Sequence, residues 1–161
     1  DNADTAFKQS LAIIRAASIP QLMRNNAELF HRIRTGMFVD IPSGDLEKAE
    51  LKLQQLELLS IKHPDSLTRG WLRMSLHVYI GLLALNRKDY PEATAELSQG
   101  NLNSAAVLYC LGTAYEGMKE SDKAATHFRE AMQVRRLYDV DHALVFSRAK
   151  EALARVTRPV A

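Results

Sequence analysis

Seven residues between positions 108 and 131, in the stretch LYCLGTAYEGMKESDKAATHFREA, constrain the fold of this chain more than any other feature. Leu108, Leu111, Gly112, Tyr115, Ala124, Phe128 and Ala131 follow one another at intervals of 3, 1, 3, 9, 4 and 3. Residues three and four apart are neighbours on a helix surface, so the first four share one helical face and the last three share another. Residues 117–120 form the turn between them, and Ser121 or Asp122 is placed to cap the second helix. Small Gly112 and Ala124 are expected to face each other and let the two axes approach, with Tyr115 and Phe128 filling the space on either side. The same intervals occur 31 residues earlier, at His77, Ile80, Gly81, Ala84, Ala93, Leu97 and Gly100. DYPEATAEL (residues 89–97) thereby aligns with ESDKAATHF (residues 120–128), and a weaker third copy, DLEKAELKL (residues 45–53), lies 44 residues before DYPEATAEL.

This spacing resembles the tetratricopeptide repeat, in which helix pairs stack side by side. The leading Trp of that pattern is replaced here by Leu108, and the closing Pro is absent. The resemblance implies an all-α chain arranged as a right-handed superhelix, an α-solenoid of antiparallel helix pairs in a single domain over residues 1–161. It implies a weak repeat at 20–62, repeats at 66–99 and 104–135, and a capping helix at 140–156. A helix pair cannot bury its apolar face alone, whereas stacked pairs share a continuous core. The ending VFSRAKEAL (residues 145–153) also resembles the C-terminal ends of bacterial tetratricopeptide proteins, many of them exported or membrane-anchored.

Along the chain, apolar periodicity marks about eight helices. Residues 4–17 present Ala6, Phe7, Leu11, Ile14 and Ala17; residues 20–37 present Leu22, Met23, Leu29, Phe30 and Ile33. Residues 40–44, Asp-Ile-Pro-Ser-Gly, read as a loop, and Asp45 as the cap of a helix over 46–61 with Leu46, Ala49, Leu53, Leu56 and Leu59 inward. A long helix covers 66–86, its start drawn toward Trp71 by Gly70, which costs about 1 kcal/mol relative to Ala. A shorter helix follows at 90–98, then a loop at 100–104, and then the two helices of the opening stretch on either side of the turn at 117–120. The last, 140–156, directs Ala143, Leu144, Val145 or Phe146, Ala149, Ala152 and Leu153 inward, and Arg148, Lys150, Glu151 and Arg155 outward. The first helix lacks a partner in this scheme. The expectation is that the chain ends a longer array, or that its N-terminal helices meet another protomer in a homodimer.

Composition bounds the function. Net charge is +2 with both signs interspersed, so no concentrated basic face marks a nucleic-acid binder. Arg24, Arg32 and Arg34 near Phe30 and Phe38 read as solvated arginines around a core aromatic. No apolar run approaches 18 residues, so no membrane span is expected. One cysteine, Cys110, makes no internal disulfide and reads as a small buried hydrophobe; the compartment stays open between cytoplasmic and exported. The five histidines, His31, His63, His77, His127 and His142, have no metal-ligand spacing, and His77 reads as a packed, hydrogen-bonded core residue. Carboxylates sit as ordinary i,i+4 pairs, Glu28 with Arg32 and Glu151 with Arg155. No phosphate-binding glycine loop occurs. No catalytic residue, metal or cofactor is expected, and the chain reads as no enzyme.

What remains is binding of a protein or peptide partner. The resemblance assigns contact to outward positions of the first helix of each pair, which form a concave groove: Ser75, Val78, Leu82, Leu85 and Asn86, then Ala106, Tyr109, Thr113 and Glu116. Repeats that grip a C-terminal carboxylate place Lys, Arg and Asn there; this set has only Asn86. An apolar or helical segment suits Val78, Leu82 and Tyr109 better. Two rival readings are an oligomerisation module, and an accessory segment of a larger enzyme or regulatory protein.

Overall fold

In a computed structural model the described residues are 2–17, 21–134 and 140–158. Among them the chain is all-helical and has no strand. The elements are α1 (Asn2–Ala16), α2 (Gln21–Thr35), a π-helical turn (Gly36–Asp40), α3 (Ile41–Ser43), α4 (Leu46–Lys62), α5 (Ser66–Asn86), α6 (Tyr90–Leu97), α7 (Ala105–Gly117), α8 (Ser121–Gln133) and α9 (Val140–Val156). Contacts group the chain into two compact units, Asp1–Leu72 and Arg73–Ala161.

In the first unit α1, expected to lack a partner, packs on α2, and Arg15 Nε donates to Glu28 Oε1 at 3.3 Å. Glu28 therefore takes Arg15 rather than the expected Arg32, because the helix–helix contact brings the guanidinium within reach. The segment expected as a loop at 40–44 is instead helical to Ser43. Ile33, Met37 and Ile41, four apart, are all buried, and this apolar stripe carries the helix past Pro42. The cost of Pro42, which cannot donate to a helical ladder, is met by widening the preceding turn: the Ile41 N–H reaches back to Gly36 O in a π-type bond. Gly44, at φ 79°, then ends the helix in a left-handed conformation. Its N–H bonds Ile41 O at 3.1 Å and the Asp45 N–H bonds Asp40 O at 3.0 Å, the paired bonds of a Schellman cap.

Asp45 caps α4 as expected, accepting from the Lys48 N–H at 3.4 Å. Lys48 also holds the Asp45 carboxyl below its ordinary pKa by a side-chain hydrogen bond. Ala49 and Leu56 of the expected inner stripe are buried; Leu46, Leu53 and Leu59 are half-buried. Buried Asp40 in the π turn ion-pairs with Lys52 of α4, fixing the two elements together. Phe30 is not a core residue: it is 38% exposed and its ring lies against Trp71, with centroids 3.6 Å apart. The long helix α5 starts at Ser66 despite Gly70. Asp65 accepts from the Thr68 N–H at 2.6 Å, and its carboxyl is lowered in pKa by Thr68's hydroxyl and N–H.

In the second unit the chain makes two helical hairpins. Gly81 of α5 meets Leu97 of α6, and Gly112 of α7 meets Phe128 of α8. Contact pairs in the α7–α8 hairpin widen in sequence away from the turn, from Tyr115–His127 to Tyr109–Phe128, so the two helices run antiparallel. The Phe128 ring lies nearest Gly112: a Cβ there would be 2.5 Å from Phe128 Cε1. Tyr115 packs on the core of the same hairpin and stacks on His127 of α8 at 5.3 Å, with Lys123 Nζ 5.2 Å from its centroid. Glu120, rather than Ser121 or Asp122, occupies the N-cap position of α8, and makes no side-chain cap bond.

Two cores result. One joins Ala84, Ala93 and Leu97 to Val107, Leu111 and Ala114. The other joins Ala105 and Leu108, Ala124, Phe128 and Ala131, and Val145, Ala149 and Ala152 of α9. Alanine-rich contacts of this kind bring helix axes close. The open choice in α9 falls to Val145, which is buried while Phe146 is 40% exposed; the side chains of Ala143 and Leu144 lie outside the described residues.

Candidate interaction surface

Both α5 and α7 end in the same way. Lys88 and Lys119 are left-handed, at φ 62° and 63°. Lys88 N–H bonds Leu85 O at 3.1 Å and Asp89 N–H bonds Ala84 O at 2.9 Å; Lys119 and Glu120 bond Glu116 and Tyr115 at 2.9 Å each. These are the Schellman bonds already seen at Gly44 and Asp45. In all three places a helix starts at the next residue, and its fourth residue, Ala49, Ala93 or Ala124, has no exposed surface. The three aligned nonapeptides thus share one cap and one buried alanine.

This local geometry fixes where the expected groove residues sit. Ser75 is buried. Val78 is half-buried and packs on the Ala84–Leu111 core; a Cβ on Gly100 would come within 2.5 Å of Val78 Cγ2. Leu85 packs on the same core. Leu82 is half-buried and Asn86 exposed. On α7, Ala106 and Tyr109 pack against the core that includes α9, with Tyr109 5.7 Å from the Phe128 ring. Thr113 is half-buried, its hydroxyl donating to Tyr109 O at 3.0 Å. Glu116 receives the fork of Arg155, Nε to Oε1 at 2.5 Å and Nη2 to Oε2 at 2.8 Å. That guanidinium belongs to α9 and was expected to pair with Glu151; packing of α9 on α7 brings it instead to Glu116, 39 residues away. Sequence spacing favours the local partner, and nothing short of the α7–α9 contact reveals the distant one.

Ala106 and Tyr109 thus pack on the core that α9 shares and Glu116 pairs with Arg155 of α9, while Leu82 and Thr113 are half-buried and Asn86 is exposed. Against known proteins, the chain matches no family model, no curated protein and no solved structure at a significant level. His77 Nδ1 lies 2.8 Å from Glu96 Oε2, tying α5 to α6 as a packed, hydrogen-bonded histidine. Burial pushes the Cys110 thiol up to about 12, with Arg148 pulling weakly the other way; it is protonated at neutral pH. Among the described residues no group of three or more His, Cys, Asp or Glu side chains is placed to hold a metal ion, and no helix is long and apolar enough to cross a membrane.

Proposed function

We propose that the chain is a non-enzymatic scaffold of tetratricopeptide-like helix pairs, stacked as a right-handed superhelix, that binds a protein or peptide through the outward side of the first helix of each pair. The observation that carries this reading is the recurrence, at Gly44, Lys88 and Lys119, of one helix cap followed by one fully buried alanine. A cap that ends one helix and starts the next, recurring after 44 and then 31 residues, with an alanine admitting the neighbouring helix, suits a stack of similar pairs. On this reading α5 and α7 supply the contact surface, and Leu82, Asn86, Thr113 and the edge of Tyr109 are its recognition residues.

The partner it suits is an amphipathic helix or short apolar segment. Leu82 and Tyr109 offer apolar area, and Asn86 and Thr113 add polar side chains without a fixed charge. Binding is docking of complementary shape, with no covalent step. A peptide selected on the chain from a displayed helical library supplies the test. A Leu82→Ala/Asn86→Ala double variant should bind it at least about tenfold more weakly, equivalent to about 1.4 kcal/mol. Unchanged affinity in a variant that keeps the parent helicity removes α5 from the binding surface.

A further inference from the structure

The helix α4 is apolar on two opposite sides. One side carries buried Ala49, Leu56 and Ser60 and serves the core of its own unit. The other carries Leu51, Leu58 and Ile61, which are 57%, 53% and 71% exposed. At 100° per residue these three fall within about 80° of one another and directly opposite Ala49. Exposed Gln54 lies in the same stripe, giving the spacing 51, 54, 58, 61, which is that of a two-stranded helical seam. The stripe has charged edges, and exposed Glu47 lies on its axis at the N-terminal end, one turn before Leu51, where an in-register pair sets the two copies' Glu47 against each other as the one repulsive contact. Glu50 and Glu57 border one side; Lys48, Gln55 and Lys62 border the other.

We propose that this face of α4 pairs with α4 of a second copy, parallel and in register. Two features choose the occupant and its direction. In a parallel pair Glu57 of each copy faces Lys62 of the other, so both flanking ion pairs are attractive; in an antiparallel pair glutamates meet glutamates and lysines meet lysines. Among the described residues neither Glu57 nor Lys62 makes an ion pair within the chain, so both side chains are available for this contact. Gln54 adds the second feature. In-register parallel pairing sets it opposite its own copy, where two amides can hydrogen-bond each other. Antiparallel pairing about the middle of the stripe sets it opposite Leu58 and strands the amide. The interface is distinct from the N-terminal helices, where α1 already packs on α2. Three apolar side chains and one amide per copy fall short of a standard interface, so the dimer is weak, with a dissociation constant above about 1 µM.

Sedimentation of the 161-residue chain up to about 1 mM tests this. The expected result is a concentration-dependent monomer–dimer equilibrium that Leu58→Glu abolishes with helicity unchanged. Glu57→Lys or Lys62→Glu alone should weaken it at least tenfold, and the two together should restore it. In a Cys110→Ala background, Gln54→Cys should form a disulfide-linked dimer on mild oxidation. A chain that stays monomeric throughout overturns the proposal and leaves the face to another segment or protein. A dimer that survives Leu58→Glu, or one in which Gln54→Cys does not cross-link, equally overturns it.

Discussion

Lys88 and Lys119 hold the same left-handed backbone conformation at the ends of α5 and α7, and each is followed by a helix whose fourth residue is a fully buried alanine. A side chain with a Cβ is strained there, and glycine is not. Lys88→Gly and Lys119→Gly are each expected to raise stability by about 0.5–1 kcal/mol, read from the urea midpoint. Lys119→Val should lower it, since a β-branched residue tolerates positive φ least.

The same substitution should have opposite signs at two glycines. Nothing lies within 4 Å of a Cβ on Gly70, so Gly70→Ala gains about 1 kcal/mol of helix propensity. At Gly112 the added methyl meets the Phe128 ring at 2.5 Å, and overpacking of about 1–3 kcal/mol outweighs that gain. Thermal unfolding of the two variants should move in opposite directions. A stabilising Gly112→Ala would mean that Phe128 does not seat where it is described.

Asp40 and Lys52 join the π turn to α4 in a largely buried ion pair. Lys52→Met leaves a buried carboxylate without its cation and is expected to cost about 1–3 kcal/mol. The double variant Asp40→Asn/Lys52→Met should recover part of that loss. Denaturant melts of the four proteins give the coupling directly, and a coupling near zero would remove the pair as a structural tie.

Cys110 sets a prediction on the alkaline side. Its folded pKa is raised from 9.0 to about 12, so below 9 both the folded and unfolded thiols are protonated and the group costs nothing. Above 9 the unfolded thiol ionises while the folded one does not, so stability falls progressively between pH 9 and about 12. Cys110→Ala should flatten this part of the stability–pH curve. At pH 7.5 the native thiol, half-buried and held protonated, should react with a disulfide reagent more slowly than the unfolded chain does; equal rates would contradict the raised pKa.

Much of the helical layout was legible because periodicity and capping are local. Asp45, Pro91 and the 31-residue recurrence marked starts and turns from sequence alone. The stretch at 40–44 was not legible, because Pro-Ser-Gly signals a break, and only the buried line of Ile33, Met37 and Ile41 keeps the helix going to Ser43. Ion pairs failed for a related reason. Arg15–Glu28 and Arg155–Glu116 depend on helices packing, and neighbouring i,i+4 partners compete for the same charges in any reading of spacing. The outer stripe of α4 was hidden behind its inner one, since Leu51, Leu58 and Ile61 look like further core residues until their exposure is known. Of the expected groove, buried Ser75 and the α9-bound Glu116 show how far helix packing redistributes positions that sequence treats as equivalent.

A partner docked on the outward face of α5 and α7 touches positions 82 and 113. A photoreactive amino acid placed at Leu82, at Thr113 or at exposed Thr126 of α8, with a bound peptide present and the cross-linked products weighed by mass spectrometry, reads that face without altering the core. Cross-linking at positions 82 and 113 and none at 126 is the predicted result. A peptide that cross-links at 126 while sparing 82 and 113 would contradict the proposed surface.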